Sequence, residues 1–175
     1  MNRLRTQLVL VAAAIIFFGG TAYGMKLLTK PANPTSDAPT CDARTVNSGD
    51  DLTTNLITVN VYNASQVSGR ANRVNINLQR NGFLGGQAGN ANDILTGNAP
   101  SNTVVIVTAD KNDPQVKLVA AQFKDKVTYA APQKDLAKGV SIVVGDNYDG
   151  LAKKPPRSVK SDRTLNFCLP IVTVS

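Results

Sequence analysis

A chain of 175 residues has room for one domain of ordinary size with an anchor and a tail, but not for two domains. Forty-two per cent of the residues are apolar, enough for a packed core, yet Trp is absent and aromatics make up 5 %, so Val, Ile, Leu and Ala must build that core. All twelve acidic residues are Asp, no His occurs, and 19 Lys and Arg leave a net charge of +7; this excludes Ser/His/Asp and Cys/His nucleophile systems, His metal ligands and, with two Cys, a four-sulfur zinc site.

Residues 6–25 carry no charge. As a helix rising about 1.5 Å per residue they would span about 30 Å, the thickness of a bilayer core. Arg3 and Arg5 precede the run, and Lys26 and Lys30 follow it. That charge bias is too small to set orientation by itself. A first helix with a short basic N-terminus and a long C-terminal part leaves that part outside the cytoplasm. The expected layout is a cytoplasmic N-terminus at 1–5, a single membrane span at 6–25 and a Pro-rich linker at 26–40. The alternative is a signal peptide cleaved after Ala22-Tyr23-Gly24, but the apolar run exceeds the usual apolar region of about 7–15 residues. Both readings place the domain outside the cytoplasm.

Cys41 follows the linker and Cys168 lies near the C-terminal end of the sequence. Outside the cytoplasm an even pair reads as a disulfide, and this pair brackets the whole domain. Between them, Ile57, Val59 and Val61 alternate with Thr58, Asn60 and Tyr62, the pattern of a half-buried strand. Asn63 and Ser65 suit a turn into a helix over 68–81, where Val67, Ala71, Val74 and Leu78 share one face. Gly82 is placed to cap that helix in the left-handed conformation, and Phe83 to fold back onto the core. A short strand at 84–87 follows, then an Asn/Gly/Ala-rich loop at 88–102.

The four β-branched residues at 104–107 predict a strand buried on both faces. Asp113-Pro114 starts a second helix, with Asp113 as cap and Pro114 in the first turn. Val116, Val119, Ala120 and Phe123 supply its apolar face. A short strand at 127–130 and a clear one at Val140, Ile142 and Val144 complete a βαβ-βαβ order. This predicts a ferredoxin-like α/β (α+β) sandwich, two helices on one face of a mainly antiparallel sheet, over residues 41–150. The last part, 151–175, reads as a basic tail with Lys153, Lys154, Arg157, Lys160 and Arg163, held extended by Pro155 and Pro156. It ends in an alternating strand through Leu165, Phe167, Leu169 and Ile171 that Cys168 would pin near Cys41.

Residues 57–83 read ITVNVYNASQVSGRANRVNINLQRNGF. The strand ending in Asn63, then Ser65, Gly69, Ala71, Leu78 and the Gly82-Phe83 pair, resembles the LytR C-terminal domain of bacterial envelope proteins. Gly145, Asp146 and Tyr148 after the last strand are similar too, and the resemblance covers residues 56–148. It implies a cell-envelope setting. Many members carry a LytR-CpsA-Psr catalytic domain that attaches anionic polymers to peptidoglycan. This chain has no room for that domain and looks like the stand-alone, membrane-anchored form found in actinobacteria. The Asn-rich helix (Asn72, Asn75, Asn77), the Lys111-to-Pro114 approach to the second helix and the cysteine-bracketed tail depart from the family pattern. From the residues alone, Asn63 and Ser65 satisfy backbone groups, Gly69 and Ala71 let the helix approach the sheet closely, and Gly82 takes a positive φ.

The sequence holds no phosphate loop, no G-x-G-x-x-G and no S-x-x-K, so no catalytic residue, cofactor or metal is expected. Asp146 and Asp149 are two carboxylates, too few for a calcium or magnesium cage. Arg70 and Arg73 lie one helical turn apart, a spacing that suits a phosphate or carboxylate; the plain alternative is a solvated face. The basic tail is the other candidate for anion or partner binding, to an anionic membrane surface or an acidic wall polymer. Nucleic acid is not expected, because the strands offer too few stacking rings. The expected function is a non-catalytic envelope module that binds or scaffolds peptidoglycan, an anionic wall polymer or a LytR-CpsA-Psr-type transferase. An envelope enzyme working without His or Glu, or a structural subunit of a larger envelope assembly, are the alternatives.

Overall fold

The computed structural model describes residues 41–91, 103–124, 126–132, 136–169 and 171. The expected membrane span at 6–25 and the linker at 26–40 lie outside them. Among the described residues, no helix is long and apolar enough to cross a membrane.

In chain order the elements are β1 (Asp42–Val46), β2 (Asp51–Thr53), a 3-10 turn (Thr54–Leu56), β3 (Thr58–Asn63), α1 (Arg70–Arg80), β4 (Leu84–Asn90), β5 (Val104–Val107), α2 (Pro114–Ala120), β6 (Thr128–Ala130), β7 (Val140–Val144), β8 (Ser158–Lys160) and β9 (Leu165–Leu169). Five strands form the central sheet in the order β4-β3-β7-β5-β6. β3 runs parallel to both β4 and β7, β5 runs parallel to β6, and β5 and β7 pair antiparallel. The expectation of a ferredoxin-like, mainly antiparallel sheet is therefore corrected: three of the four pairings in the central sheet are parallel. Each βαβ unit keeps its own two strands adjacent and parallel, as a crossover helix allows, and β7 zips the two units together. Ferredoxin-like interleaving would have needed the second strand of each unit to leave its neighbour.

Both helices sit on one face of this sheet, as expected. Ala71, Val74 and Leu78 of α1 and Val116, Leu118 and Val119 of α2 share a single apolar cluster with Val59, Val61, Ile106 and Ile142. The opposite face is also closed over. Tyr62, Val105, Val107 and Val143 form a second cluster. Thus β3 is buried on both faces, with Asn60 only 1 % exposed, and is not the half-buried strand that its alternation suggested. Its inward amide is satisfied: Asn60 Nδ2 donates to the Lys138 carbonyl at 3.1 Å, and its Oδ1 accepts from Gln87 N–H at 2.8 Å.

Helix α1 begins two residues later than expected, at Arg70, and Val67 stands outside its apolar face, 40 % exposed. Gly69 precedes it with φ +71°. A Cβ at Gly69 would touch nothing within 4 Å, so backbone handedness, and not close packing, requires glycine there. Gly82 has φ +100° at the other end, as expected, where its N–H donates to the Gln79 carbonyl and Phe83 N–H to that of Leu78. The Asn-rich character of α1 has a structural use. Asn75 is 97 % covered, and its Nδ2 donates to the Gly86 and Gln87 carbonyls of β4 while its Oδ1 accepts from Gln79 Nε2 at 2.8 Å. At α2, Asp113 accepts from Gln115 N–H at 2.7 Å and Pro114 fills the first turn, as the sequence requires.

The segment after 150 is no free tail. β8 pairs antiparallel with β2, and β9 with β1, which makes two outer ribbons from the two ends of the described chain. The expected final strand and its link are both present: Cys41 and Cys168 form a disulfide, with Cα atoms 5.2 Å apart. The sequence pattern gives no sign of β1 and β2. They are short and mostly exposed, and only Val46 and Leu52 are buried.

Candidate functional site

Asn63, Ser65, Gly69, Gly145 and Asp146 of the family-like set lie at one end of the sheet, where β3 and β7 end side by side, whereas Gly82 and Phe83 lie at the other, before β4 starts beside Thr58. Asn63 ends β3, and its Oδ1 accepts from both the N–H (3.0 Å) and the Oγ (2.7 Å) of Ser65 while its Nδ2 donates to the Val67 carbonyl at 2.9 Å. This closes the strand-to-helix turn locally. Asp146, just past β7, accepts from Gln66 N–H at 2.9 Å. Arg70 Nη1 donates to the carbonyls of Gly145 and, at 2.8 Å, Asp146. Arg73 instead turns back to the Ser68 carbonyl at 3.1 Å. Arg70 and Arg73 therefore do not converge on a common point. One fastens the helix to the β7 loop and the other closes its own turn. A small cleft of about 160 Å³ beside Asn63, Gly69, Asn72 and Gly89 has no charged side chain in its lining.

The Asp146–Asp149 pair is divided in the same way. Asp149 faces Lys124, whose Nζ lies 3.6 Å from its carboxylate and donates to its carbonyl at 2.9 Å, whereas Asp146 serves the Gln66 amide. Tyr148, between them, packs edge-on against Phe123 with ring centroids 6.2 Å apart. Burial raises its phenol above the usual value. Among the described residues, no cluster of three or more Asp or Cys could hold a metal ion.

The five basic residues after 150 split into two groups. Lys160 lies 3.2 Å from Asp51 across the β2–β8 ribbon. Arg163 contacts Asp110 at 3.0 Å and Asp162 at 2.9 Å. The Asp110 carboxyl is held below its ordinary value by the Asn112 backbone N–H first and Arg163 second, and Asp162 by Arg163. Lys153, Lys154 and Arg157 are exposed and have no ion pair among the described residues.

What holds this second group in place is Gln122, a residue with no obvious signal in the sequence. It is fully buried. Its Nε2 donates to the carbonyls of Leu118 (3.1 Å) and Pro156 (2.9 Å), its Oε1 accepts from Asn81 Nδ2 (3.1 Å), and its own carbonyl accepts from Ala152 N–H at 2.8 Å. Thr54 N–H donates to the Arg157 carbonyl at 3.0 Å, and Thr54 Oγ1 to the Asn81 carbonyl at 3.2 Å. The segment 152–157 is thus laced to the C-terminal end of α1 and to the 3-10 turn. A polar side chain after a helix end reads as solvent-facing in a sequence; only its tertiary partners reveal it as a hub.

A solved structure, the soluble domain of a conserved hypothetical secreted protein from Mycobacterium marinum, is similar at 20 % identity with a TM-score of 0.43, over 62 % of this chain and 70 % of that one. No curated protein matches. The model of the LytR cell envelope-related transcriptional attenuator family matches residues 56–148, which begin in the 3-10 turn, take in the whole central sheet and end at Tyr148. By that match over more than half its length, this chain belongs to the LytR cell envelope-related transcriptional attenuator family.

Proposed function

We propose that the chain is a non-catalytic module of the cell envelope, tethered through residues 6–25 with its folded domain outside the cytoplasm, where it holds an anionic wall polymer or an envelope protein. The family supports the envelope setting. The Cys41–Cys168 disulfide supports an oxidising compartment, since such bonds are rare in the cytosol. The absence of His and Glu from the sequence, together with the structural employment of Asp146, Asp149 and Arg70, leaves no assembled acid–base pair among the described residues.

The observation that carries the binding role is the display of Lys153, Lys154 and Arg157. Side chains fixed to a backbone laced by Gln122 lose less entropy on binding than charges on a loose tail. The test is crosslinking in intact cells from a photoreactive residue in place of Lys154, with one in place of Thr128 as control. Adducts with wall material or an envelope protein at 154 and not at 128 are expected. Turnover of a pyrophosphate-linked lipid substrate by the purified full chain would refute the non-catalytic reading, and adducts with cytoplasmic proteins would refute the location.

A further inference from the structure

We infer that the unpaired half of the basic segment is part of a composite binding face, completed by Arg80 of α1 and the 3-10 turn, and that this face takes a linear, hydroxyl-bearing polyanion, such as an acidic glycan. This deepens the reading above and rests on it.

Three hydrogen-bonded links bring the pieces together: Gln122 joins Asn81 to Pro156, Thr54 N–H joins the 3-10 turn to Arg157, and Thr54 Oγ1 joins that turn to Asn81. Arg80 is exposed in the last turn of α1, where it donates to the neutral Asn77 Oδ1 at 3.3 Å and has no ion pair among the described residues. Lys153, Lys154, Arg157 and Arg80 thus flank one laced patch. The three segments that compose it, 53–56, 77–81 and 152–158, contain no acidic residue. Five other basic residues, Arg44, Lys117, Lys124, Lys160 and Arg163, each lie within 4 Å of a carboxylate. The negative end of the α1 dipole, equivalent to about half a charge, opposes an anion here, but four cations outweigh it.

The chemistry of the face selects the occupant. Lys153 to Arg157 span at most about 14 Å of chain, which suits several regularly spaced negative groups better than one phosphate. Amides and hydroxyls stand beside the cations: Asn55 and Asn77 are exposed, and Thr53 Oγ1 is half-buried against Asn55. Those groups pair with sugar or polyol hydroxyls. The segments offer no aromatic ring for a nucleobase and, at 152–158, no exposed large apolar side chain to enter a lipid layer.

The test uses the full chain in neutral detergent micelles and polygalacturonate as probe. Changing Lys153, Lys154, Arg157 and Arg80 to Gln together should weaken binding at least about tenfold at physiological salt and flatten its salt dependence. Arg80→Gln alone should weaken it at least about twofold, whereas the paired Lys160→Gln and Arg163→Gln double variant should change it by less than that. Thermal melting of each variant shows whether the fold persists. Unchanged binding by Arg80→Gln would reduce the face to a linear tail and overturn the composite site. Tighter binding to vesicles of phosphatidylglycerol and phosphatidylcholine than to the polymer would overturn the glycan assignment. No polymer binding at all, with crosslinks from residue 154 to an envelope protein still found in cells, would sink this inference and leave the envelope-module reading standing.

Discussion

The central sheet and the two outer ribbons are held by different physics. In the sheet, strands β5 and β7 are buried at every position and both helices turn aliphatic stripes onto them. The β1–β9 and β2–β8 ribbons are mostly exposed, and a disulfide, a buried glutamine and salt bridges fix them. The family match, residues 56–148, covers the sheet and omits the ribbons. Hydrophobic burial is non-directional and specifies a core, while covalent and hydrogen-bonded links fasten short strands that could not bury enough area to stay in place. The basic face sits where the two regimes meet.

That contrast can be broken in four places. The largest effect is expected from replacing both Cys41 and Cys168 by Ser. The link spans 127 residues, and its loss should cost up to about 4–5 kcal/mol in the chain-entropy picture, read as a fall in the denaturant midpoint. Second, Ile106→Ala empties a fully buried site on the helix-covered face of the sheet and should cost about 2–5 kcal/mol, with the whole domain unfolding in one transition. If instead it loosened the ribbons while sparing the sheet, the two regions would not differ as described.

Third, Gln122→Ala strips partners from Asn81, Leu118 and Pro156. A cost of about 1–3 kcal/mol is expected. Amide exchange should quicken at Ala152 and Thr54 before it does at Val105 or Ile142; equal protection in all four would show that the hub is not what fastens the segment. The smallest effect belongs to Arg163→Gln. Arg163 lowers the carboxyl pKa values of Asp110 and Asp162, so its contribution is present above the ordinary Asp value of 3.8 and is lost as pH falls through their depressed values. The melting-temperature difference from wild type should be small at pH 6, vanish on acidification well below pH 3.8, and shrink with added salt.

Local chemistry was legible where it is self-contained. Asp113-Pro114 caps α2, Asn63 and Ser65 close their turn, and Gly82 ends α1, each through partners within a few residues. The Val104–Val107 run was readable because a β-branched stretch has no polar face to expose. Legibility failed where the partner is remote in sequence. The alternation at 57–62 suggested a wet face, yet Asn60 finds Lys138 and Gln87 inside the fold. Arg70 and Arg73 share a helical spacing but diverge to different carbonyls. Five tail charges looked equivalent until Asp51 and Asp110 claimed two of them.

By itself the sequence determined the compositional limits on chemistry, the two βαβ units, the family and the cysteine pair, because periodicity, caps and residue inventory are local properties. Tertiary structure alone decided that the units stay intact side by side with β7 between them, since strand direction depends on which edges meet and not on any single strand's pattern. It also decided which basic residues are neutralised and which stand together, because that depends on carboxylates and on a buried Gln122 that folding brings in from distant parts of the chain.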